Sequence, residues 1–215
     1  MIMNETTKLW HSKDERDWLT ALDRYWDYVK DENLELEREL IYRLDAALVK
    51  GFNEQRWYDF LRDKYFRWKY TAPNRYATTT YSLQKCIEQN SLNELYQIKK
   101  ELFNFNKEDI KAGLKIAKQI KGLGAAGASG LLALLFPQYF GTIDQFAVKA
   151  LRQIDGLPEH VALQKMKSKN LSISNGVVLI SIMRNKAEEL NRLFGDDFWT
   201  PRKIDIILWG CTRER

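Results

Sequence analysis

Apolar residues recur at three- and four-residue spacing along nearly the whole chain, and this periodicity narrows the fold class more than any other feature. One such face carries Trp18, Leu22, Tyr25, Trp26 and Val29. No stretch shows the strict apolar–polar alternation of a half-buried strand. The sequence therefore predicts an all-α protein of about ten helices. A length of 215 residues suits one large domain or two small lobes that share a cleft.

Helix boundaries are predicted from capping residues, glycines and prolines. Predicted helices cover residues 33–50, 53–68 and 74–89, with Gly51 and Gly195 as stop signals and Pro73 as a break. The predicted starts are Ser12 with Glu15, Ser91 with Glu94, Asn106, Thr142, Ser174, and Thr200 before Pro201.

Cysteine and histidine usage argues against a metal centre. The chain has two cysteines, Cys86 and Cys211, and two histidines, His11 and His160. This set is too small for a four-thiolate iron–sulfur cluster, and its spacing does not match a zinc site. No apolar run reaches the ~18 residues of a membrane span, and the first residues lack the pattern of a secretory signal. We expect a cytoplasmic protein with no membrane partner.

The positive charge is unevenly distributed. The net charge is +5, but residues 1–50 hold 8 Lys and Arg against 12 Asp and Glu, a net of −4. The remaining residues, 51–215, therefore carry +9. A basic body with an acidic N-terminal segment suggests a polyanionic partner on one side of the molecule.

A glycine pair marks the most informative segment, residues 120–129. Gly122 and Gly124 flank Leu123, where one predicted helix ends and the next begins at once. Glycine permits positive φ, and the N–H groups of the turn and of the new helix, up to Ala126 and Gly127, can face one anion. Such a hairpin holds a DNA phosphate without reading sequence. The alternative is an ordinary tight helix–helix turn, which the glycine pair alone favours.

The residues after the hairpin make the pattern more specific. A helix of small and apolar residues leads to a loop with Pro137, and Ile143-Asp144 follows 20 residues after Gly124. This combination resembles the helix-hairpin-helix DNA glycosylase superfamily, with the 8-oxoguanine-glycosylase-like fold. The match covers about residues 107–155, and residues 200–209 are compatible with the family's closing helix. The resemblance implies a single glycosylase-like unit over residues 1–215, with two lobes flanking a cleft.

The resemblance also implies a catalytic role for Asp144. Enzymes of this family flip a nucleotide out of the duplex and break its N-glycosidic bond. A carboxylate beside the sugar stabilises the developing positive charge and orients a water. A helix N-terminus favours the charged carboxylate. The alternative is that Asp144 only interacts with the helix dipole.

One departure from the family concerns its Schiff-base lysine. Bifunctional members carry that lysine two residues after the second hairpin glycine, where this chain has Ala126. Neither Lys121 nor Lys149 is an obvious replacement. The resemblance therefore implies a monofunctional glycosylase that uses water. A non-catalytic relative that recognises modified or distorted duplex, or a protein–protein scaffold with a vestigial hairpin, remains an alternative.

The cofactor and partner expectations follow from the same resemblance. We expect no required cofactor and no iron–sulfur cluster, with K⁺ or Na⁺ on the hairpin carbonyls as the one metal implied. The partner is double-stranded DNA, bound by a monomer. The sequence indicates neither the target base nor whether the setting is repair or defence against foreign DNA.

Basic and aromatic residues interleave in a second candidate segment, residues 67–76. Arginine can neutralise phosphate, and aromatic rings can stack on bases. Asn74, Arg75 and Tyr76 are candidates for the wedge that fills the gap of a flipped base, and Lys121 is a further DNA-contact candidate. The alternative makes Trp68 and Tyr70 core aromatics. The lysines before the hairpin are expected to form mostly a solvated face, with the alternative that one or two support the phosphate site, namely Lys107, Lys111, Lys115 and Lys118.

Overall fold

The structure, a computed structural model, describes residues 4–213. The all-α prediction is confirmed, since thirteen α-helices and no strand occur in that range. The chain divides into two compact units. We call Lys30–Phe136 the hairpin unit, and we call Met1–Val29 with Pro137–Arg215 the terminal unit.

The hairpin unit consists of seven α-helices and two π-helical segments. Their order is α3 (Asp31–Arg38), a π-helix (Glu39–Arg43), α4 (Ala46–Lys50), α5 (Glu54–Asp59), a π-helix (Phe60–Tyr65), α6 (Phe66–Lys69), α7 (Pro73–Asn104), α8 (Ile110–Ala117) and α9 (Ala125–Leu135). Its core includes the fully buried Trp57, Tyr65 and Phe66. These large aromatic side chains supply much of the apolar area that stabilises the unit.

The terminal unit joins the two ends of the chain. Its elements are α1 (Glu5–Trp10), α2 (Glu15–Asp23), a 3₁₀-helix (Arg24–Tyr28), α10 (Gln145–Arg152), α11 (His160–Lys165), α12 (Ile173–Phe194) and α13 (Pro201–Gly210). Helix α13 packs against α2, α10 and α12. The N-terminal aromatic face lies in this core, because Trp18 is fully buried and stands edge-on to Trp199 at 6.1 Å between ring centroids.

Several predicted helix starts are wrong by two or three residues. Asp14 rather than Ser12 caps α2, and its carboxylate accepts a hydrogen bond from Arg16 N. Asp109 rather than Asn106 caps α8, and Asp144 rather than Thr142 caps α10. In each case a nearby aspartate supplies the capping oxygen, which is among the most favourable caps.

Other boundaries also differ from the prediction. Helix α1 was not predicted, and Ser172, not Ser174, forms the capping box of α12 with Asn175. The helix predicted for residues 33–50 is interrupted, because Leu44 is extended. The predicted cap at Thr200 is confirmed, since its hydroxyl accepts a hydrogen bond from Lys203 N.

Among the helices within residues 4–213, none combines the length and apolar character that a bilayer crossing requires.

Candidate functional site

Residues 118–124 form the turn that joins α8 to α9. Leu123 N donates a hydrogen bond to Ile120 O at 3.1 Å, which closes the turn. The Leu123 side chain is buried, with 6% of its surface exposed. It lies against Gly127, because a Cβ on Gly127 would be 2.9 Å from Leu123 Cδ2. The segment is therefore a tight helix–turn–helix whose central apolar residue packs against α9.

Gly122 is required by a close approach to α7. Its φ is +92°, and a Cβ at this position would lie 2.7 Å from Thr79 Cγ2 and 2.9 Å from Thr79 O. The Tyr70 hydroxyl donates a hydrogen bond to Gly122 O at 3.3 Å. Burial raises the pKa of Tyr70, while the positive charge of Arg75 opposes this shift, so the hydroxyl stays a donor. Thr79 and Tyr70 thus hold the turn from one side.

Gly127 also permits close packing in the hairpin unit. A Cβ on Gly127 would lie 2.5 Å from the Tyr70 hydroxyl oxygen. The Tyr65 hydroxyl donates a hydrogen bond to Gly127 O. Gly127 was predicted as part of the phosphate site, and the structure shows it in a packing role.

The N-terminus of α9 lies open beside these packed residues. Gly124 is the N-cap, is exposed and has extended backbone, and no atom lies within 4 Å of the position that its Cβ would take. Within residues 4–213, no side chain caps this helix, and the N–H groups of Ala125, Ala126 and Gly127 donate to no turn or loop acceptor. The helix dipole and these N–H groups are the ingredients of an anion site.

Asp144 is the N-cap of α10 in the terminal unit. Its Oδ1 accepts hydrogen bonds from Phe146 N at 2.8 Å and Ala147 N at 2.9 Å. In the part of the chain that the structure describes, no hydrogen bond or ion pair engages Oδ2. The half-buried carboxylate is therefore fixed by one oxygen and leaves the other to interact with a ligand.

The loop that leads to Asp144 is anchored by a buried ion pair on α13. Arg202 Nη1 and Asp205 Oδ1 are 2.6 Å apart, and both side chains are over nine-tenths buried. Asp205 Oδ2 accepts a hydrogen bond from Thr142 N at 2.6 Å. Gly141 is needed beside this pair, because a Cβ there would lie 2.7 Å from Pro201 O. These contacts fix the backbone two residues before Asp144.

The wedge candidates lie in the first turn of α7. Asn74 and Arg75 are exposed. Tyr76 is half-buried, and its hydroxyl donates to Arg62 O at 3.3 Å. Because Thr79 on the same helix touches Gly122, these candidates belong to the helix that supports the hairpin. Lys121 is exposed in the turn itself.

The lysines before the hairpin divide into two groups. Lys111, Lys115 and Lys118 are exposed, as expected for a solvated face. Lys107 differs, because its ammonium donates to Phe103 O at 3.0 Å and to Phe105 O at 2.7 Å. Burial, and then the charge of Lys50, lowers the pKa of Lys107. This lysine therefore has a structural role that its spacing did not indicate.

Side chains suited to a metal do not cluster in the described residues, since no group of three or more His, Cys, Asp or Glu occurs there. The hairpin offers backbone oxygens instead. Gly122 O and Ile120 O accept hydrogen bonds from Tyr70 and Leu123. Lys121 O and Leu123 O accept none from residues 4–213, and carbonyl oxygens are the ligands that K⁺ or Na⁺ takes in proteins. The donor set is compatible with the monovalent cation implied by the resemblance.

The sequence interpretation missed the supporting residues around both candidate sites. Tyr70 and Thr79 support the hairpin, and Arg202 and Asp205 support the loop before Asp144. Only the Arg-x-x-Asp spacing at 202–205 offered a local signal, because residues three apart face each other on a helix. The hairpin belongs to the hairpin unit, and Asp144 belongs to the terminal unit.

Comparisons of this chain with models of protein families, with curated proteins and with solved structures found no match.

Proposed function

We propose that this protein is a monofunctional DNA glycosylase with a helix-hairpin-helix glycosylase-like fold of two lobes. The observation that carries the proposal is the hairpin at residues 118–124. Its apolar residue is buried, its first glycine has positive φ, and the helix after it starts without a side-chain cap among residues 4–213. The first N–H groups of any helix lack an intrahelical acceptor, and here no side chain among residues 4–213 takes them, so they remain for a ligand.

The proposed ligand of the hairpin is a phosphate of the DNA backbone. The N–H groups of Ala125, Ala126 and Gly127 would donate to its oxygens, with the α9 dipole favouring the negative charge. Exposed Lys118 and Lys121 add positive charge in the same turn. A contact of this kind holds the duplex in register without selecting a sequence.

The proposed catalytic residue is Asp144. Its Oδ1 is held by two backbone N–H groups, which fixes the orientation of the carboxylate. Oδ2 would face the deoxyribose of a flipped nucleotide, stabilise the oxocarbenium-like transition state and orient the attacking water. Ala126 offers no amine, so the reaction would end at an abasic site without strand cleavage.

A monovalent cation at the hairpin is part of the proposal. Lys121 O and Leu123 O would hold K⁺ or Na⁺, whose charge would add to the attraction for the phosphate. No required cofactor and no iron–sulfur cluster are included in the proposal. The proposed partner is double-stranded DNA, bound by a monomer in the cytoplasm.

Asp144→Asn tests the catalytic assignment. An asparagine Oδ1 still accepts the two capping hydrogen bonds, so the fold should be retained while the negative charge is lost. We expect base release to fall by roughly 10²–10³-fold with duplex binding unchanged or tighter. The measurement is single-turnover base release from duplexes carrying alkylated, oxidised, deaminated or otherwise modified bases, followed by cleavage at the abasic site.

Asp196→Asn is the control, because Asp196 is an exposed aspartate in the turn after α12 whose Oδ1, like that of Asp144, accepts a backbone hydrogen bond, here from Phe198 N at 3.2 Å. This variant should release the base at the wild-type rate. Equal rates for wild type and Asp144→Asn on a true substrate would exclude Asp144 as the catalytic carboxylate.

A non-catalytic DNA-binding protein of glycosylase fold is the second candidate. It is favoured by the two hydrogen bonds to Asp144 Oδ1, which give this aspartate a complete structural role as a helix cap. It predicts salt-dependent binding of modified duplex with no base release from any substrate in the panel. A scaffold with a vestigial hairpin predicts neither.

A further inference from the structure

A cavity of about 920 Å³ lies within the terminal unit, apart from Asp144 and its loop. Its walls come from α1, α2, the 3₁₀-helix and the end of α13. Small-molecule sites in proteins are typically ~300–1,000 Å³. The volume therefore suits a small ligand with its hydration water.

Three cationic side chains line this cavity, namely Lys8, Arg24 and Arg213. Within residues 4–213, none of the three makes a hydrogen bond or an ion pair through its side chain. Two acids, Glu5 and Asp17, also line it, so the lining has an excess of one positive charge. A cavity lining with a net positive charge attracts an anion.

Arg213 is held in a way that is typical of a recognition residue. Its guanidinium carbon lies 4.1 Å from the ring centroid of Trp209 and 4.5 Å from that of Phe146. Its Nε is buried and lacks a hydrogen-bond partner among residues 4–213. The stacking rings orient the planar fork, which matches phosphate geometry.

The other lining groups indicate what accompanies the anion. Tyr28 contributes an aromatic ring to the wall, and rings of this kind stack on planar groups. Glu5 and Asp17 supply carboxylates, which accept hydrogen bonds from hydroxyl groups. Asp17 already accepts one, from the Ser12 hydroxyl at 2.6 Å.

We propose that this cavity binds the phosphate monoester of a small hydroxylated molecule, of the size and chemistry of a nucleoside monophosphate. Arg24, Arg213 and Lys8 bind the phosphate, the two carboxylates accept from hydroxyl groups, and Tyr28 borders the ring. The site does not depend on Asp144 or on the hairpin, so the proposal stands apart from the glycosylase assignment.

Cys211 offers a reporter for occupancy, because its thiol lies in the cavity wall. Burial raises the pKa of Cys211 to about 11, so the thiol reacts slowly near neutral pH. The other cysteine, Cys86, belongs to the hairpin unit and is replaced by Cys86→Ser. In this variant Cys211 is the remaining cysteine of the sequence. The rate of its alkylation by iodoacetamide is followed by the mass of the intact protein.

The experiment titrates the full-length Cys86→Ser chain with adenosine monophosphate, ribose 5-phosphate and inorganic phosphate, by calorimetry and by protection of Cys211. We expect adenosine monophosphate to saturate the protein below about 1 mM, to slow alkylation and to bind more tightly than inorganic phosphate. Equal affinity for the two esters also supports the proposal and shows that the sugar phosphate is the part recognised. No saturation by any probe, or equal affinity for inorganic phosphate and both esters, overturns it.

Arg24→Ala tests the site in the same titration. Arg24 is exposed, so its replacement should leave the fold intact. Loss of its charge should lower the affinity for adenosine monophosphate at least tenfold. Arg192→Ala is the control, because Arg192 is exposed on α12 and lies outside the cavity lining. Unchanged affinity in Arg24→Ala overturns the proposal.

Discussion

Gly122 and Gly124 lie two residues apart in one turn, yet an added methyl group would meet different surroundings at each. At Gly122 it would collide with Thr79 and would require a side chain at φ +92°. At Gly124 it would meet no atom within 4 Å, and the backbone there is ordinary extended chain. Gly122 is therefore needed for the fold, whereas a substitution at Gly124 tests whether a ligand binds at the turn.

The two alanine variants should therefore separate stability from DNA binding. We expect Gly122→Ala to lower the free energy of unfolding by about 1–3 kcal/mol, measured by urea denaturation. Gly124→Ala should cost less than about 1 kcal/mol, because the N-cap loses only the preference for glycine over alanine.

DNA affinity supplies the second readout for this pair. If a phosphate binds at the start of α9, the methyl group of Gly124→Ala obstructs it, and affinity for duplex falls although the fold is kept. Wild-type affinity in Gly124→Ala would contradict the hairpin as the phosphate site.

The glycine pair also shows how far local sequence predicts the site. The spacing of Gly122, Leu123 and Gly124 predicted a turn between two helices with positive φ at a glycine, and the structure has both. The contacts from Tyr70 and Thr79 come from residues more than 40 positions earlier. Such tertiary contacts leave no local pattern, so the residues that support the turn were not predicted.

At the scale of helices, periodicity predicted the elements better than it predicted their ends. Thr142 and Asp144 are both good capping residues, and the choice between them depends on where the preceding loop is fixed. Asp205 accepts the hydrogen bond from Thr142 N, which anchors that residue in the loop, and Asp144 then caps α10. The deciding contact comes from α13, about 60 residues later, so the residues around Thr142 do not predict it.

Helix α7 contains a boundary that the sequence did predict, at Ser91. The sequence predicted a new helix starting there, and the structure agrees, because the Pro73–Asn104 element is broken at Ser91, whose φ of +77° and ψ of 159° are not helical. Glycine adopts these angles readily, whereas other residues are strained by about 1–3 kcal/mol. The kink is therefore a place where a substitution can stabilise the protein.

We predict that Ser91→Gly raises the free energy of unfolding by about 1 kcal/mol, measured by urea denaturation. Ser91→Ala keeps a Cβ and serves as the control, with no comparable gain expected. In an unkinked helix the order would reverse, since glycine there is about 1 kcal/mol less favourable than alanine. A less stable Ser91→Gly and a more stable Ser91→Ala would thus contradict the kink.

For the molecule as a whole, the sequence predicted an uneven distribution of charge, and the division into two units shows which unit carries the positive excess. The hairpin unit holds 18 Lys and Arg against 14 Asp and Glu, a net of +4 of the chain's +5. Its lysines at positions 111, 115, 118 and 121 are exposed before and within the hairpin turn. The basic excess therefore belongs mainly to the unit that carries the proposed phosphate site.

This distribution gives a prediction for the salt dependence of duplex binding. Each phosphate neutralised by a lysine contributes about 0.9 to the slope of log affinity against log salt concentration. If Lys121 makes one such contact, Lys121→Gln should reduce the slope by about 1 and weaken all duplex sequences alike. Lys165→Gln is the control, because Lys165 is an exposed lysine on α11 of the terminal unit. Equal slopes for Lys121→Gln and wild type would exclude a contact between Lys121 and a phosphate, whatever the affinity itself.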